Sequence, residues 1–142
     1  MTDLQVVYDA FLGKMLEDEW VNWDLDDIQQ DWKSLLQGAL PWFKFPRVSL
    51  DIIVDEEDGI EKFADDLSNE EIQILASYMK CEWLNRTILT WENVKPLYEE
   101  RDFSQANLID KFNQMLAAEK KNAARLEAVY YRSIKRRPFG YS

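Results

Sequence analysis

The sequence predicts a mainly α fold, a small helical bundle with a β-hairpin insertion and a long C-terminal helix that runs into an extended basic tail. Three observations carry this expectation. Apolar residues recur at helical spacing in four stretches of the chain. The period switches to two over residues 48–54. At 142 residues, 46% hydrophobic and 13% aromatic, the chain has the size of one domain and enough apolar side chains for a core. It shows no internal repeat, low-complexity segment or Gly/Ser/Pro-rich linker. The expected organisation is a helical domain over residues 1–131, with the hairpin inserted at about 48–66, and a tail over 132–142.

Each element has a local reason. Leu4, Val7, Tyr8, Phe11, Leu12, Met15 and Leu16 form one helical stripe, and Thr2 with Gln5 offers a capping box, which predicts a first helix over 3–19. Asp24 is a cap for a second helix over about 25–37, with Asp26 and Asp27 in the acidic first turn that the helix dipole favours. Its expected inner face is Leu25, Ile28, Trp32, Leu35, Leu36 and Leu40, and Gly38 and Pro41 are its expected stop. The run Pro41-Trp42-Phe43-Lys44-Phe45-Pro46 should lie on the core or meet another subunit, with Trp42 as the interface aromatic. Val48, Leu50, Ile52 and Val54 alternate as a half-buried strand, residues 55–59 make a turn, and Ile60 to Phe63 return as a second strand. A two-stranded hairpin is marginal alone, so it must rest on helices or on a neighbouring chain.

The third helix has the clearest start. Ser68 and Glu71 make a capping box, and Leu67 with Ile72 makes the hydrophobic staple around it. Ile72, Leu75, Ala76, Met79, Trp83 and Ile88 carry it to about residue 91, and Asn93–Pro96 breaks it. The last helix is expected from near Ser104 to about Ser133, with Leu108, Phe112, Met115, Leu116, Ala123, Leu126 and Tyr130 inside and its end projecting.

Composition excludes several chemistries. With no histidine, Ser-His-Asp or Cys-His catalysis and His-ligated zinc are ruled out. The lone Cys81 excludes an internal disulfide and reads as a buried structural thiol. No apolar run reaches a membrane span and no signal peptide opens the chain, so a soluble, intracellular protein is expected, with no membrane partner. The acidic turn Asp55-Glu56-Glu57-Asp58 fails as an EF-hand loop, because counting back from Gly59 puts Val54 at the first ligand position. Adjacent carboxylates such as Asp65 and Asp66 read as solvated, and only four glycines occur, with no phosphate-cradling loop among them. No catalytic residue, cofactor or metal is expected.

The charge is lopsided. The formal net charge is −10, yet residues 1–71 hold 19 acidic and 5 basic side chains, a net of −14, whereas residues 72–142 hold 8 and 12, a net of +4. Arg132, Lys135, Arg136 and Arg137 crowd the end, followed by Pro138, Phe139 and Tyr141. The acidic body repels DNA, so the tail reads as a strip for a protein groove, with a disordered solubilising terminus equally open on composition.

The strings Tyr78-Met79-Lys80-Cys81-Glu82-Trp83-Leu84, Trp91-Glu92-Asn93-Val94-Lys95-Pro96-Leu97-Tyr98, Phe112-Asn113-Gln114-Met115-Leu116 and the terminal Pro138-Phe139-Gly140-Tyr141-Ser142, with Val7 to Leu12, resemble the head-to-tail connector (neck adaptor) proteins of tailed bacteriophages. The hairpin region 48–66 takes no part in this resemblance. It implies a structural virion protein of the neck, assembled in the host bacterial cytoplasm as a ring, commonly dodecameric, between the portal protein and the next neck or tail protein, through which DNA passes without specific binding. It implies portal contacts at Arg132, Lys135, Arg136, Arg137, Phe139 and Tyr141; in such a ring the acidic hairpin residues Asp51, Asp55, Glu56, Glu57 and Asp58 read from their charge and strand pattern as channel-lining or inter-subunit. A head-closing stopper or tail-completion protein and an acidic DNA-mimic inhibitor are the alternatives, and a carboxylate-metal nuclease stands last.

Overall fold

A computed structural model describes residues 1–16, 19–94 and 103–135. The elements, in chain order, are β1 (Thr2–Asp3), α1 (Leu4–Gly13), α2 (Leu25–Ala39), a 3-10 turn (Leu40–Trp42), β2 (Ile52–Val54), β3 (Glu61–Phe63), α3 (Asn69–Val94) and α4 (Phe103–Lys135). The fold is mainly helical, with a small antiparallel sheet of order β1-β3-β2.

The centre is α3. Ile74, Leu75, Ala76, Ser77, Met79, Cys81, Trp83, Leu84 and Ile88 are all buried, so its apolar positions run around the axis instead of forming one stripe. A helix apolar on every side is one surrounded by others, and α3 packs against α1, α2 and α4. At 26 residues α3 is about 39 Å long, and the 33 residues of α4 span about 50 Å at ~1.5 Å per residue. The two run antiparallel, with Trp83 edge-on to Phe112 at 6.0 Å at one level and Tyr78 bonded to Glu127 at another.

The capping box at the start of α3 forms as expected. Ser68 N–H donates to Glu71 Oε1 (2.7 Å), and Glu71 N–H donates to Ser68 Oγ (3.2 Å). Glu71 is buried, and its second oxygen accepts the Tyr130 hydroxyl of α4 at 2.6 Å. That hydroxyl in turn accepts the Arg47 N–H at 2.7 Å, and the Arg47 guanidinium lies 4.9 Å over the same ring. Burial, then the bond to Glu71, holds the Tyr130 phenol above its ordinary pKa, so it stays a neutral donor.

Several local expectations are corrected. The first helix ends at Gly13, not residue 19, and Thr2 is not its cap. Thr2 pairs with Phe63 as a third strand, and its hydroxyl accepts the Leu67 N–H at 2.8 Å, while Gln5 turns to Asp9. Pairing with β3 outcompetes the local box. The following loop is tied down by Trp20, whose indole donates to Asp31 (2.7 Å), and by Glu19, which accepts from Trp83 and Arg86. Residues 17 and 18 lie outside the described residues. In α2, Leu25 is exposed rather than inward, and Gly38 sits inside the helix, which continues to Ala39. Only three residues of the 48–54 run form a strand, with Ile53 and Val54 exposed. The end of α4 does not project before Tyr131: Tyr130 is fully buried and Tyr131 packs on the core, so the basic Arg132 and Lys135 stand on helix, one turn beyond. Among the described residues no helix is long and apolar enough to cross a membrane.

The Tyr130 hydroxyl yields the first prediction. Tyr130→Phe strands both the Arg47 N–H and one Glu71 oxygen, and should cost about 2–3 kcal/mol in urea unfolding, as expected when buried partners are left unsatisfied.

Candidate protein-interaction site

The connection from the 3-10 turn to β2 seats one aromatic side chain inward between two that face out. Phe43 inserts edge-on against Tyr130 (5.3 Å) and is buried. Trp42 before it and Phe45 two residues after it face outward, 47% and 71% exposed. Trp42 stacks on Tyr78 of α3 at 6.2 Å and 20°, and its indole N–H donates to Glu82 Oε1 at 2.9 Å. Phe45 meets Tyr131 of α4 at 6.3 Å. Both tyrosine hydroxyls donate to Glu127, which joins the two aromatic pairs across the α3–α4 groove. Beside Trp42 lies a cavity of about 190 Å³ lined by Trp42, Tyr78, Cys81, Asn85 and Lys120.

The phenols and the thiol of this ledge are held protonated at neutral pH. Burial, then Glu127, raises the Tyr78 phenol, and the same causes in the same order take Tyr131 to about 12. Burial, then Glu119, pushes the Cys81 thiol up to about 12, which leaves it protonated and weakly nucleophilic at neutral pH. Large, half-exposed aromatics with satisfied polar tips are the residue types that dominate protein interfaces. Trp42, expected to be an interface aromatic, thus sits within a larger row. The sequence placed Phe45 only within a run expected on the core or at another subunit, and gave no sign of Tyr78 and Tyr131 as its companions. Only the bracketing of Phe45 by Lys44 and Pro46 gave any hint of exposure.

Exposed charge is segregated. Among the described residues every exposed lysine or arginine lies at Lys44, Arg47 or on α4, namely Lys111, Lys120, Lys121, Arg125 and Arg132. Exposed carboxylates crowd the other part of the chain, with Asp9, Asp24, Asp26, Asp27, Asp51, Glu56 and Glu57 among them, while α4 carries Asp110 among its exposed cations. Of the expected contact residues, Arg132 directly follows Tyr131, at the basic end of the ledge. The side chain of Lys135, and all of Arg136, Arg137, Phe139 and Tyr141, lie outside the described residues.

The acidic turn is a second, differently built feature. Asp55 Oδ1 accepts the Glu57 N–H (3.0 Å) and Asp58 Oδ1 accepts the Ile60 N–H (2.9 Å), while Gly59 takes the positive φ of 72° that closes the turn. Lys62 Nζ then clamps both carboxylates, at 2.8 Å from Asp55 and 2.6 Å from Asp58, with Asp3 of β1 at 3.7 Å. The hydrogen bonds from Lys62 hold Asp55 and Asp58 below the usual carboxylate range, and the same bonds raise Lys62. Asp55 and Asp58 are therefore internally neutralised, whereas Asp51, Glu56 and Glu57 carry no ion pair among the described residues. Lys33 of α2 fastens the other face of β3 through Glu61 at 2.6 Å. Among the described residues no group of three or more Cys, Asp or Glu is placed to hold a metal ion.

No protein family, curated protein or solved structure matches the chain.

Three predictions follow from this geometry. A Cβ on Gly38 would lie 2.8 Å from Glu82 Oε2, the mobile end of that side chain. Gly38→Ala should therefore leave stability within about 1 kcal/mol, helix propensity offsetting the displacement, while the Trp42 indole N–H loses Glu82, read as an upfield NMR shift of that proton. Tyr8, raised to about 12 by burial and then by Glu61, and Tyr131 contribute to the alkaline behaviour together with Tyr78, Tyr130 and Cys81, which burial also raises. Above pH 10.0 the unfolded tyrosines ionise while the folded ones hold their protons, so stability present below pH 10.0 should fall progressively towards pH 12. Tyr8→Phe and Tyr131→Phe together should flatten that slope in denaturant titrations. At the acid end the sign is opposite: the contribution of Asp55 and Asp58 is present above their ordinary value of 3.8 and is lost as pH falls through their lower folded values. In Lys62→Met, amide exchange at residues 52–63 should accelerate at neutral pH while α3 amides stay protected.

Proposed function

We propose that the protein is a structural, non-catalytic neck protein of a tailed bacteriophage, seated as a ring between the portal protein and the next neck or tail protein, with DNA passing through its centre. The observation that carries the reading is the segregation of exposed charge, cations on α4 and on Lys44 and Arg47, carboxylates on the α1–α2 and hairpin side. In a ring, such polarity lets a basic face of one subunit meet an acidic face of the next, a head-to-tail contact that closes when the rotation closes. It also leaves acidic surface for a channel wall that repels phosphates, so that the genome slides. The aromatic ledge and Arg132 at the end of α4 supply a portal-facing surface of anchors and cations. The likeness of the helical strings to neck adaptors supports the same assignment.

The acidic side also favours a second reading, a DNA-mimic that occupies the groove of a DNA-binding protein. Sedimentation of the full chain with and without the portal protein of its own phage separates the two. A fixed-stoichiometry complex with the portal, weakened at least tenfold by Arg132→Glu combined with deletion of residues 136–142, is the expected result. A chain that ignores the portal, stays small and displaces DNA from a bound protein would overturn the neck reading in favour of the mimic.

A further inference from the structure

We infer that the free edge of β2 is a strand-addition site for an extended, basic segment of a partner protein. The inference does not rest on the neck reading. Asp55 N–H donates to Ile60 O (2.9 Å) and Ala64 N–H donates to Asp51 O (2.9 Å), so residues 51, 53 and 55 direct their backbone groups towards β3. Alternation then turns the N–H and C=O groups of Ile52 and Val54 to the open side. In the sheet order β1-β3-β2 no strand lies beyond them among the described residues. The other edge of the sheet is only the two residues of β1.

The edge is exposed and apolar: Ile53 is 38% and Val54 58% exposed, with Ile60 open across the turn. A bare apolar edge is a liability that proteins blunt with lysine, proline or a bulge. None of these occurs within β2. What surrounds it is unpaired negative charge: Asp51 before the strand, Glu56 and Glu57 after it. The nearby cations are already engaged, Lys62 by Asp55 and Asp58 and Lys33 by Glu61. Hydrogen-bond groups and apolar side chains bracketed by free carboxylates fit a strand with alternating apolar residues and Lys or Arg at both ends.

A second copy fits badly. Pairing two β2 strands would crowd Asp51, Glu56 and Glu57 of both copies, which carry no ion pair among the described residues, onto one short ribbon, and like charges brought together are destabilising. The occupant is therefore a different protein segment.

The test is NMR titration of the full chain with two nine-residue peptides, each a Val/Thr alternation flanked by two residues at either end, lysines in one and glutamates in the other. The basic peptide should shift the Ile52 and Val54 amides and bind about tenfold more tightly than the acidic one. Val54→Pro deletes one outward donor and spares the bonds to β3, and should abolish the shifts. Glu56→Lys with Glu57→Lys should reverse the peptide preference, a readout that survives even if the proline variant fails to fold. Equal binding of the two peptides, silent Ile52 and Val54 amides, or an unchanged preference in the charge-reversed variant would overturn the site. So would a concentration-dependent dimer lost in Val54→Pro, which would make a second copy the occupant.

Discussion

The buried carboxylate of Glu71 is the contact on which much of this fold depends. Glu71 satisfies the first turn of α3 with one oxygen and receives Tyr130 of α4 with the other, and Tyr130 holds the backbone at Arg47. Three segments far apart in sequence thus meet at two side chains. An unpaired carboxylate in the same position would be strongly unfavourable, so the start of α3, the end of α4 and the aromatic connection are ordered together. The outward pose of Trp42 and Phe45 depends on this, because Phe43 between them is seated against the Tyr130 ring.

A second buried carboxylate plays a parallel part further along α4. Glu119 accepts from Ser77 and Asn122 and lies 3.5 Å from Lys80. Burial alone would raise its pKa, but these partners outweigh it and hold it low. Together with the Tyr78–Glu127 bond between them, these polar pins fix the register of two long helices that apolar packing alone would let slide.

Much of the helical architecture was legible because it is written in local chemistry. The Ser68/Glu71 box is a short-range signal, and it formed; Leu67 and Ile72, its expected staple, each pack on the core. The first helix misled because Thr2 and Gln5 mimic a box while Thr2 is committed to a strand partner sixty-one residues away, Phe63. No local pattern could announce that third strand of two residues. The all-round burial of α3 was half visible: Leu75, Met79 and Trp83 fell on the expected stripe and Cys81 was expected as a buried thiol, whereas Ile74 and Leu84 became core only because helices cover the remaining sides. The site followed the same division. Trp42 stood out between prolines, but its stacking partner Tyr78 reads as an ordinary helical residue until α3 and the connection are brought together. The acidic turn was legible as a turn, and Lys62, four residues beyond Asp58, was the unread clue that its charge is answered from within.

Because the hairpin carries its own counter-ion, its shape and its field respond differently to ionic strength. Lys62 holds Asp55 and Asp58 through contacts of 2.8 and 2.6 Å, too close for mobile ions to intervene. The field of Asp51, Glu56 and Glu57 acts across open water, where screening sets in over about 8–10 Å at physiological salt. Salt can therefore tune how strongly this end of the molecule attracts a cationic surface while the strand it presents keeps its geometry.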